Sequence, residues 1–429
     1  LIRAGLEAAD PARAIRRLVR RKGPRLQVGR RTYDLRRVQR VVAVGAGKAS
    51  AHMAQALERA VGPRLTEGLV VVKAGHAVPT KRITVLEAGH PIPDRAGLNA
   101  ADAIEQAVAA CGADDLVFVL ISGGASSLLP APVADVTLAE VQQVTDALLR
   151  SGAPIQDMNC VRKHLSRLAG GRLAERTKAR LLTVILSDVI GDDLATIGSG
   201  PTVPDPTTFR DAVAVLKRHR IWTATPPPVR SYLLRGCRGL EADTPKPGHP
   251  RFRRGQQVVV GNNAQAVSAI ETVARRQGLR TIRLETPLVG EAAHVGRVFA
   301  SLAHRLPDGA GLVRRPYCVI AGGEPTVTVT GRGRGGRAQE FAVAAALEIA
   351  GAPRVWVAAF GTDGTDGPTD VAGAVVSGAT VSDARRRRIN LHQALLRHDT
   401  YRVLHALKSH LVTGPTGTNV NDLYLLLAL

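Results

Sequence analysis

The 429-residue sequence is poor in aromatic side chains and cysteines and has no long apolar run. Phe, Trp and Tyr make up 3% of the chain, which leaves little for the stacking surfaces that single-strand nucleic-acid binders use. The 4 cysteines stand far apart without a Cys-x-x-Cys pair, which argues against a disulfide framework or a zinc site. No apolar run approaches the ~20 residues that cross a bilayer, and no secretory signal is visible. We therefore expect a cytoplasmic protein without membrane contact.

Acidic residues are also scarce, since 36 Asp and Glu stand against 58 Lys and Arg, a formal net charge of +22. Such an excess can indicate a nucleic-acid-binding protein or one that binds an anionic surface. The basic residues, mostly arginines, are scattered in several clusters, and no recognised nucleic-acid-binding module is present. We predict no nucleic-acid partner and interpret the charge as solvated surface, part of which serves an anionic substrate.

Short apolar runs that end in polar, mostly glycine-rich loops recur along the chain and predict an α/β fold. In such folds ligands bind beyond the carboxyl ends of parallel strands. A passage rich in Pro, Gly and charge between residues 223 and 254 predicts a boundary between domains 1–240 and 255–429. At least six of the loops carry a polar residue suited to binding, namely Lys48, Ser122, Asp188, Asn262, Glu324 and Asp363.

The segment 181–205 is the richest of these strand ends. The apolar run Leu181–Leu186 predicts a strand buried on both faces, and a loop with Asp188, Asp192 and Asp193 follows. Carboxylates at this position suggest a site for a divalent cation and phosphate. The alternative is a polar loop with capping aspartates.

A second candidate site follows the run Val41–Val44, where Gly45-Ala46-Gly47-Lys48 leads into a helical segment. Strand, glycines and helix can place backbone amides and a lysine against a phosphate. The sequence is not a P-loop, because Val42 stands at its first glycine position, and Ser50 breaks the dinucleotide pattern. A plain strand-to-helix turn is the alternative.

Two further segments of the first half are suited to anions. Ser122-Gly123-Gly124 begins a turn that continues through Ser126 to Ser127 and offers amides and hydroxyls to an oxyanion. Arg162 and Lys163 lie in a predicted helix closed by Gly170-Gly171. They either hold a substrate carboxylate or face solvent.

The second half has the same pattern. Val258–Val260 and Cys318–Ala321 end in loops with Asn262 and Glu324, and Thr326–Thr330 alternates as a strand would. The loop 331–337, rich in Gly and Arg, precedes a predicted helix and suggests an anion site at the helix N-terminus; a flexible basic loop is the alternative. The loop after Val355–Phe360 resembles a calcium loop but lacks its final glutamate.

Taken together, these segments resemble the class II glycerate kinases, the glycerate 2-kinase family whose C-terminal part is the MOFRL domain. One departure is Ala338, which stands where the family usually carries asparagine. The matching segments occur in the family's order and span most of the chain: VVAVGAGKASAHMAQALE, EAGHPIPD, ISGGASSLLPAP, MNCVRKHLSRLAGGRLA, LSDVIGDDLATIGSGPTVPDP, AGGEPTVTVTGRGRGGRAQE, FGTDGTDGPTDVAGAVV and TGPTGTNVNDL.

The resemblance implies an N-terminal Rossmann-like doubly wound domain and a C-terminal α/β domain that includes the MOFRL region, about 318–429. It places the active site in the cleft between them. It also implies ATP- and Mg²⁺-dependent phosphorylation of D-glycerate to 2-phosphoglycerate. We expect a monomer or homodimer. Two alternatives are an NAD(P)H-dependent hydroxypyruvate reductase and a non-catalytic phosphate- or nucleic-acid-binding protein.

Phosphoryl transfer requires positioning and charge stabilisation, and the candidate residues are assigned on that basis. Asp188 is a candidate for both the base and a metal ligand, and the domain that holds the nucleotide is open. The expected catalytic residues are Lys48, Asp188 and Arg337. The expected substrate contacts are Ser122, Gly123, Arg162 and Lys163. The expected nucleotide contacts are Gly45, Gly47, Ser126, Asn262, Glu324, Gly335 and Gly336, and the expected metal ligands are Asp188, Asp192 and Asp363.

Overall fold

The computed structural model describes residues 1–308 and 313–429. The chain divides into two compact units, Pro11–Val260 (the N-terminal unit) and Leu1–Asp10 with Gly261–Leu429 (the C-terminal unit). The first helix, α1 (Ile2–Ala9), joins the C-terminal unit because Gly5 lets it pack closely: a β-carbon there would lie 2.8 Å from Ile270. The predicted domain division at residues 240–255 stays a prediction.

The N-terminal unit contains nine strands and nine α-helices within its described residues. Its strands are β1 (Val19–Lys22), β2 (Arg25–Val28), β3 (Arg31–Asp34), β4 (Val41–Ala46), β5 (Glu67–Lys73), β6 (Ile83–Ala88), β7 (Leu116–Ile121), β8 (Arg180–Leu186) and β9 (Gln256–Gly261, whose last residue lies past the division). Its helices are α2 (Pro11–Leu18), α3 (Ser50–Val61), α4 (Arg95–Ala109), α5 (Ala125–Leu128), α6 (Leu138–Arg150), α7 (Ile155–His164), α8 (Arg172–Glu175), α9 (Phe209–Arg218) and α10 (Pro227–Cys237).

The main sheet of this unit has the strand order β6-β5-β4-β7-β8-β9. Counted within the sheet this is 3-2-1-4-5-6, the doubly wound Rossmann order. The pairs from β6 through β8 are parallel, and all residues of β4 and β7 are buried. The Rossmann-like prediction is confirmed. The order reverses between β4 and β7, which is where such sheets bind ligands.

The basic connection after α2 is a small sheet that the sequence did not reveal. β1, β2 and β3 pair antiparallel in sequence order. Gly23 and Gly29 turn the chain between them, with φ of +57° and +60°. Arginines fill most of the exposed face. The segment therefore looks like a charged connection in the sequence, and the alternation of apolar and polar residues is hard to see.

The C-terminal unit contains a mixed six-stranded sheet. Its strands are β10 (Arg280–Arg283), β11 (Tyr317–Gly323), β12 (Val355–Gly361), β13 (Gly373–Ser377), β14 (His410–Leu411) and β15 (Asp422–Ala428). Its helices besides α1 are α11 (Asn263–Arg276), α12 (Ala292–Asp308), α13 (Arg337–Glu348), α14 (Thr380–Arg386), α15 (Leu391–Leu396) and α16 (Thr400–Ala406).

The order of this sheet is β10-β11-β15-β12-β13-β14, and only β10 and β11 pair in parallel. The last strand, β15, lies between β11 and β12 and runs antiparallel to both. β11 and β12 therefore point the same way and end at the edge where β15 begins. The predicted C-terminal α/β domain is confirmed, and its sheet is mixed, a property that apolar runs do not reveal because they carry no strand direction.

The predicted strand Thr326–Thr330 is also wrong. Thr326 forms only an isolated bridge with Glu291, and Thr328 donates its amide and hydroxyl to the Glu291 carboxylate. Most of this segment is exposed on both sides, so the alternation has no buried face to stabilise it. Within the described ranges, no helix is both long and apolar enough to span a bilayer.

Candidate active site

The loops after β4 and β7 meet at the point where the sheet order reverses. The register places Ala46 beside Ile121, so the segments that follow are neighbours. Glycine is required there by close packing. A β-carbon at Gly45 would lie 2.1 Å from the Leu120 carbonyl oxygen, and one at Gly47 would lie 2.2 Å from Ser122 Oγ.

The backbone amides of the first loop donate to the protein itself. Gly47 N donates to Val71 O at 3.0 Å and Lys48 N to Gly123 O at 2.9 Å, while Ala49 N donates to Ser122 Oγ at 3.0 Å. This is the strand-to-helix turn foreseen as the alternative. The packing of Gly45 and Gly47 accounts for their presence without a nucleotide, and their predicted nucleotide contact stays a prediction. The loop presents Lys48 as its cationic side chain.

Ser122 and Gly123 join this loop to the next one. The Ser122 hydroxyl is fully buried and also lies 3.2 Å from Ser50 Oγ. The Gly123 carbonyl accepts the Lys48 amide. Both residues therefore fix the position of Lys48. A direct substrate contact through the Ser122 side chain is not supported by this placement.

His90, which belongs to the segment EAGHPIPD, packs on the same turn. Gly124 has φ +86°, and a β-carbon there would lie 2.8 Å from the His90 ring and 3.6 Å from Lys48 Cγ. Burial, together with the positive charges of Lys48, Lys73 and His76, lowers the pKa of His90 to about 4. His90 is therefore neutral at physiological pH and does not add to the charge around Lys48.

A cavity of about 630 Å³ opens beside this turn, within the N-terminal unit. Its wall is largely apolar. Its polar lining includes Ser126 on α5, Arg162 on α7 and Ser199 in the loop segment after β8. Burial lowers the pKa of Arg162. Among the described residues, no carboxylate or carbonyl oxygen forms a hydrogen bond or ion pair with its guanidinium. A desolvated arginine without an anionic partner is suited to a ligand anion.

Three polar side chains form a chain of hydrogen bonds at the wall of this cavity. Ser126 Oγ lies 3.0 Å from Ser199 Oγ, and Ser199 Oγ donates to Asn159 Oδ1 at 3.1 Å. Ser199 and Asn159 are buried, and Asn159 Nδ2 is buried without a hydrogen-bond partner. Asn159 precedes Arg162 by three residues on α7, so both lie on one side of the helix.

Lys163, the neighbour of Arg162, faces the opposite way. Its Nζ lies 3.4 Å from Asp205 Oδ1, with both side chains almost completely buried. Asp205 also accepts from Thr244 at 3.0 Å. Lys163 thus neutralises an internal carboxylate, and its placement does not support the predicted substrate contact.

The acidic loop follows β8 at the same edge of the sheet, since Ile185 pairs with Ile121. Asp188 and Asp192 are partly exposed. Asp193 caps its own turn, accepting from Ala195 N at 3.1 Å and from Thr196 Oγ1 at 2.6 Å. The capping alternative thus describes Asp193, and Asp188 and Asp192 remain the candidates for base and metal ligand.

In the C-terminal unit, Arg337 at the start of α13 contacts two carboxylates. Its Nη1 donates to Glu324 Oε1 at 2.9 Å, and its Nη2 and Nε contact the two oxygens of Asp422 at 3.0 and 2.6 Å. Burial lowers the pKa of Arg337, but Asp422 and Glu324 outweigh burial and raise it. Arg337 and Glu324, both predicted from sequence, are therefore brought together, and Glu324 is held as a partner of the arginine.

The N-terminus of α13 already holds an anion that belongs to the protein. The Asp366 carboxylate accepts from Ala338 N at 3.0 Å and from Gln339 N at 2.9 Å. A β-carbon at Gly336 would lie 2.4 Å from Asp366, and one at Gly335 would lie 2.2 Å from Thr400 Oγ1. Close packing explains both glycines, and two amides of the predicted anion site are occupied. Ala338 itself is completely buried in the core.

The remaining candidates have local roles that the structure shows. Asn262 caps α11 by accepting from Gln265 N at 2.8 Å, and Asp363 accepts from Thr365 N at 3.0 Å. In residues 1–308 and 313–429, no group of three or more His, Cys, Asp or Glu side chains has the arrangement of a metal site. The predicted ligands Asp188 and Asp192 share one loop, whereas Asp363 belongs to the other unit.

Sequence reasoning missed four residues of these clusters. Asn159 and Ser199 were overlooked because nothing in the sequence shows that they meet. Asp366 lies in the loop that resembles a calcium loop. Its carboxylate therefore suggested a metal ligand rather than a cap for a distant helix. Asp422 comes directly before an apolar run, whereas Asp188 follows one. A carboxylate at the start of a predicted strand is a signal that could have identified Asp422.

The sheet order of the N-terminal unit defines a protein of the Rossmann-like α/β class, and its family follows from its similarity to known proteins. Residues 1–234 match the family described as a domain of unknown function, DUF4147, and residues 317–422 match the MOFRL family. The chain belongs to the class II glycerate kinases, the family with these two parts.

Two named relatives and one crystal structure are similar to this chain over most of its length. The glycerate 2-kinase of Pyrococcus horikoshii is 37% identical over 99% of this chain and 94% of its own length. A protein of Agrobacterium vitis, provisionally named a hydroxypyruvate reductase, is 44% identical over 90% of this chain and 86% of its own length. The crystal structure of a glycerate kinase (EC 2.7.1.31) from Thermotoga maritima has a TM-score of 0.87 and 36% identity, covering 100% of this chain and 97% of that one.

Proposed function

We propose that this protein phosphorylates D-glycerate to 2-phosphoglycerate with ATP and Mg²⁺. Membership in the glycerate kinase family supports the reaction, and one observation supports the substrate: Arg162 is a desolvated cation in a cavity without an anionic partner among the described residues. A small carboxylic acid supplies the missing negative charge. A bidentate arginine–carboxylate pair also fixes the orientation of the bound acid.

Lys48 is proposed to contact the transferring phosphate. It follows β4 at the reversal point, and the buried contacts of Ser122 and Gly123 hold its backbone in place. In the proposed reaction the 2-hydroxyl oxygen of glycerate attacks the γ-phosphorus while the bond to the β–γ bridging oxygen breaks. A fixed ammonium group then stabilises the charge on the phosphoryl oxygens.

Asp188 has two proposed roles at the edge shared with Lys48. As a base, its carboxylate accepts the proton of the 2-hydroxyl during the attack. As a metal ligand, it would hold Mg²⁺ together with Asp192. Mg²⁺ is typically held by one or two carboxylates, with waters and substrate phosphates completing its shell, so the oxygen donors of this loop fit the ion. When bound, Mg²⁺ supplies neutralisation of the phosphate charge.

Arg337 is proposed to stabilise phosphoryl charge as well. Each terminal guanidinium nitrogen has two hydrogens, and the contacts to Glu324 and Asp422 use one hydrogen of each. One N–H of each terminal nitrogen remains for a ligand. Nucleotide contacts by Asn262, Glu324, Gly335 and Gly336, and a metal contact by Asp363, stay predictions, as does the location of the active site relative to the two units.

The absence of a nucleic-acid partner is part of the proposal. Some arginines bind backbone carbonyls of the protein itself. Arg64 donates to Leu35 O and Val38 O, both at 2.7 Å, and Arg251 donates to Ala174 O at 2.6 Å. A cytoplasmic location and a monomeric or homodimeric state stay predictions.

Coupled assays on the purified protein test the reaction. We expect ADP release that requires both D-glycerate and Mg²⁺, with 2-phosphoglycerate as the product by NMR. Oxidation of NADH with hydroxypyruvate, in the absence of ADP release, would contradict the proposal and favour the reductase. Inactivity in both assays, with salt-sensitive retention on DNA, would favour a binding protein.

A further inference from the structure

The hydrogen-bond directions in the Ser126–Ser199–Asn159 chain follow from the number of hydrogens that each group has. Ser199 Oγ donates to Asn159 Oδ1. A hydroxyl has a single hydrogen, so Ser199 has none left for Ser126, whose Oγ lies 3.0 Å away. With Asn159 Oδ1 facing Ser199, Ser126 donates to Ser199. Its own oxygen then presents lone pairs, and no hydrogen, to the cavity.

The burial of Ser199 and Asn159 favours this direction of donation along the hydrogen-bond series. Ser199 and Asn159 are each only 3% exposed, so water does not compete for their hydrogen bonds. Ser199 lies in the left-handed region with φ +58°, between Gly198 and Gly200, which restricts its backbone. Ser126 is partly exposed and lines the cavity together with Arg162.

The cavity thus combines one cationic donor with one obligatory acceptor. Arg162 can donate only, and Ser126 can accept only. The complementary ligand has a carboxylate and a hydroxyl group. A ligand that lacks the hydroxyl leaves the Ser126 lone pairs unpaired in a partly buried site, which is unfavourable.

We propose, on the basis of the proposed glycerate kinase activity, that Ser126 accepts a hydrogen bond from the 3-hydroxyl of glycerate and selects for it. The 3-hydroxyl is the one that is not phosphorylated, so it keeps its proton and can donate throughout the reaction. Ser199 and Asn159 are positioning residues that keep the Ser126 hydrogen turned away from the substrate. The role of Ser126 is thus in substrate selection and not in nucleotide binding.

The test compares D-glycerate with D-lactate, the same acid with hydrogen in place of the 3-hydroxyl. For each enzyme the ratio of kcat/KM for the two acceptors is measured by ADP release. We expect Ser126→Ala to reduce the ratio at least about tenfold by lowering the value for D-glycerate alone, because sites that bind a substrate hydroxyl discriminate strongly against analogues without it. Ser199→Ala frees the Ser126 hydrogen and is expected to reduce the ratio in the same direction.

Ser127→Ala is the comparator, because Ser127 also lines the cavity but donates to Gly124 O at 3.0 Å within its own turn. We expect its ratio to equal that of the wild type. Circular dichroism and thermal unfolding establish that each variant is folded, and Ser126→Thr, which keeps the hydroxyl, is expected to retain the ratio.

Two failures are distinguishable. Wild-type protein that phosphorylates neither acid contradicts the proposed function. The inference about Ser126 is overturned if the wild-type protein phosphorylates D-glycerate and the folded Ser126→Ala and Ser199→Ala variants lower kcat/KM equally for both acceptors. A change of ratio in Ser127→Ala without one in Ser126→Ala overturns it as well.

Discussion

Asp422, the first residue of β15, forms a bidentate pair with Arg337, the first residue of α13. The contacts are Nε to Oδ2 at 2.6 Å and Nη2 to Oδ1 at 3.0 Å. The sheet register explains the position, because Asp422 pairs with both Gly323 at the end of β11 and Gly361 at the end of β12. Tyr424 donates to the same carboxylate at 2.9 Å. Arg337 is therefore held by the core strand of its own unit.

Asp422→Asn is expected to lower the free energy of unfolding by about 3 kcal/mol, because it leaves a largely desolvated arginine with Glu324 as its remaining carboxylate. Urea denaturation followed by circular dichroism measures the change. Asp383→Asn is the control, since its pair with Arg386 is exposed, and we expect at most about 0.5 kcal/mol there. Equal losses in the two variants would show that the Arg337 pair is no more than a surface contact.

The first half of the fold was predictable because the parallel strands β4, β7 and β8 are buried apolar runs with glycine turns after them. These signals located Lys48 and Asp188 at one edge of the sheet. The sequence did not reveal the packing roles of Ser122 and Gly47, since a glycine needed for packing and a glycine needed for a phosphate look alike in a sequence. The packing role appears only in the structure, where a β-carbon at Gly47 would lie 2.2 Å from Ser122 Oγ.

The C-terminal unit was less predictable for a related reason. The loop 331–337 has the composition of an anion site, and the structure shows that Asp366, thirty residues after Gly336, supplies an anion to the amides of Ala338 and Gln339. Charge pairing between distant segments has no local signal. Arg162 and Lys163 make the same point, because adjacent residues of one helix face a cavity and a buried carboxylate, respectively.

The state of His90 predicts how stability depends on pH. Its folded pKa is lowered from 6.5 to about 4, first by burial and then by nearby positive charges. Between these values the unfolded chain binds a proton that the folded protein does not, so stability rises with pH from about 4 to 6.5 and falls as acid is added. His90→Asn is expected to flatten that part of the profile, measured by urea denaturation at each pH.

The exposed His392 provides the matched control. His392→Asn is expected to keep the wild-type slope between pH 4 and 6.5. If His90→Asn kept it too, the burial of His90 against Gly124 would have no effect on its protonation.

Lys48→Met is expected to fold normally and to lose at least about 10²-fold in kcat, since removal of one preorganised charge-stabilising group costs several kcal/mol of transition-state stabilisation. Thermal unfolding and steady-state kinetics check both parts. Lys81→Met, at an exposed lysine, serves as the control and is expected to keep wild-type kinetics. A catalytic efficiency of Lys48→Met within about threefold of the wild type would assign Lys48 to the solvated surface.

Arg162→Met is expected to raise the KM for D-glycerate at least about tenfold and to leave the KM for ATP unchanged, because a charge-assisted contact to the carboxylate is lost on one substrate alone. Arg162→Lys keeps the charge without the bidentate geometry and is expected to recover only part of the loss. Arg210→Met removes an exposed arginine of α9 as a control. Equal increases in both KM values would argue against a carboxylate contact at Arg162.

Asp188→Asn separates the two roles proposed for that residue, because it keeps the shape of the side chain and removes its charge. We expect turnover to fall at least about 10²-fold, the scale of one well-placed acid–base group, while D-glycerate still binds. A metal ligand would also raise the Mg²⁺ concentration for half-maximal activity, and a base alone would not, so turnover is measured across a Mg²⁺ titration. Asp114→Asn, at an exposed loop position, controls for the general effect of removing a carboxylate. Turnover of Asp188→Asn within a few-fold of the wild type at every Mg²⁺ concentration would leave Asp188 without either role.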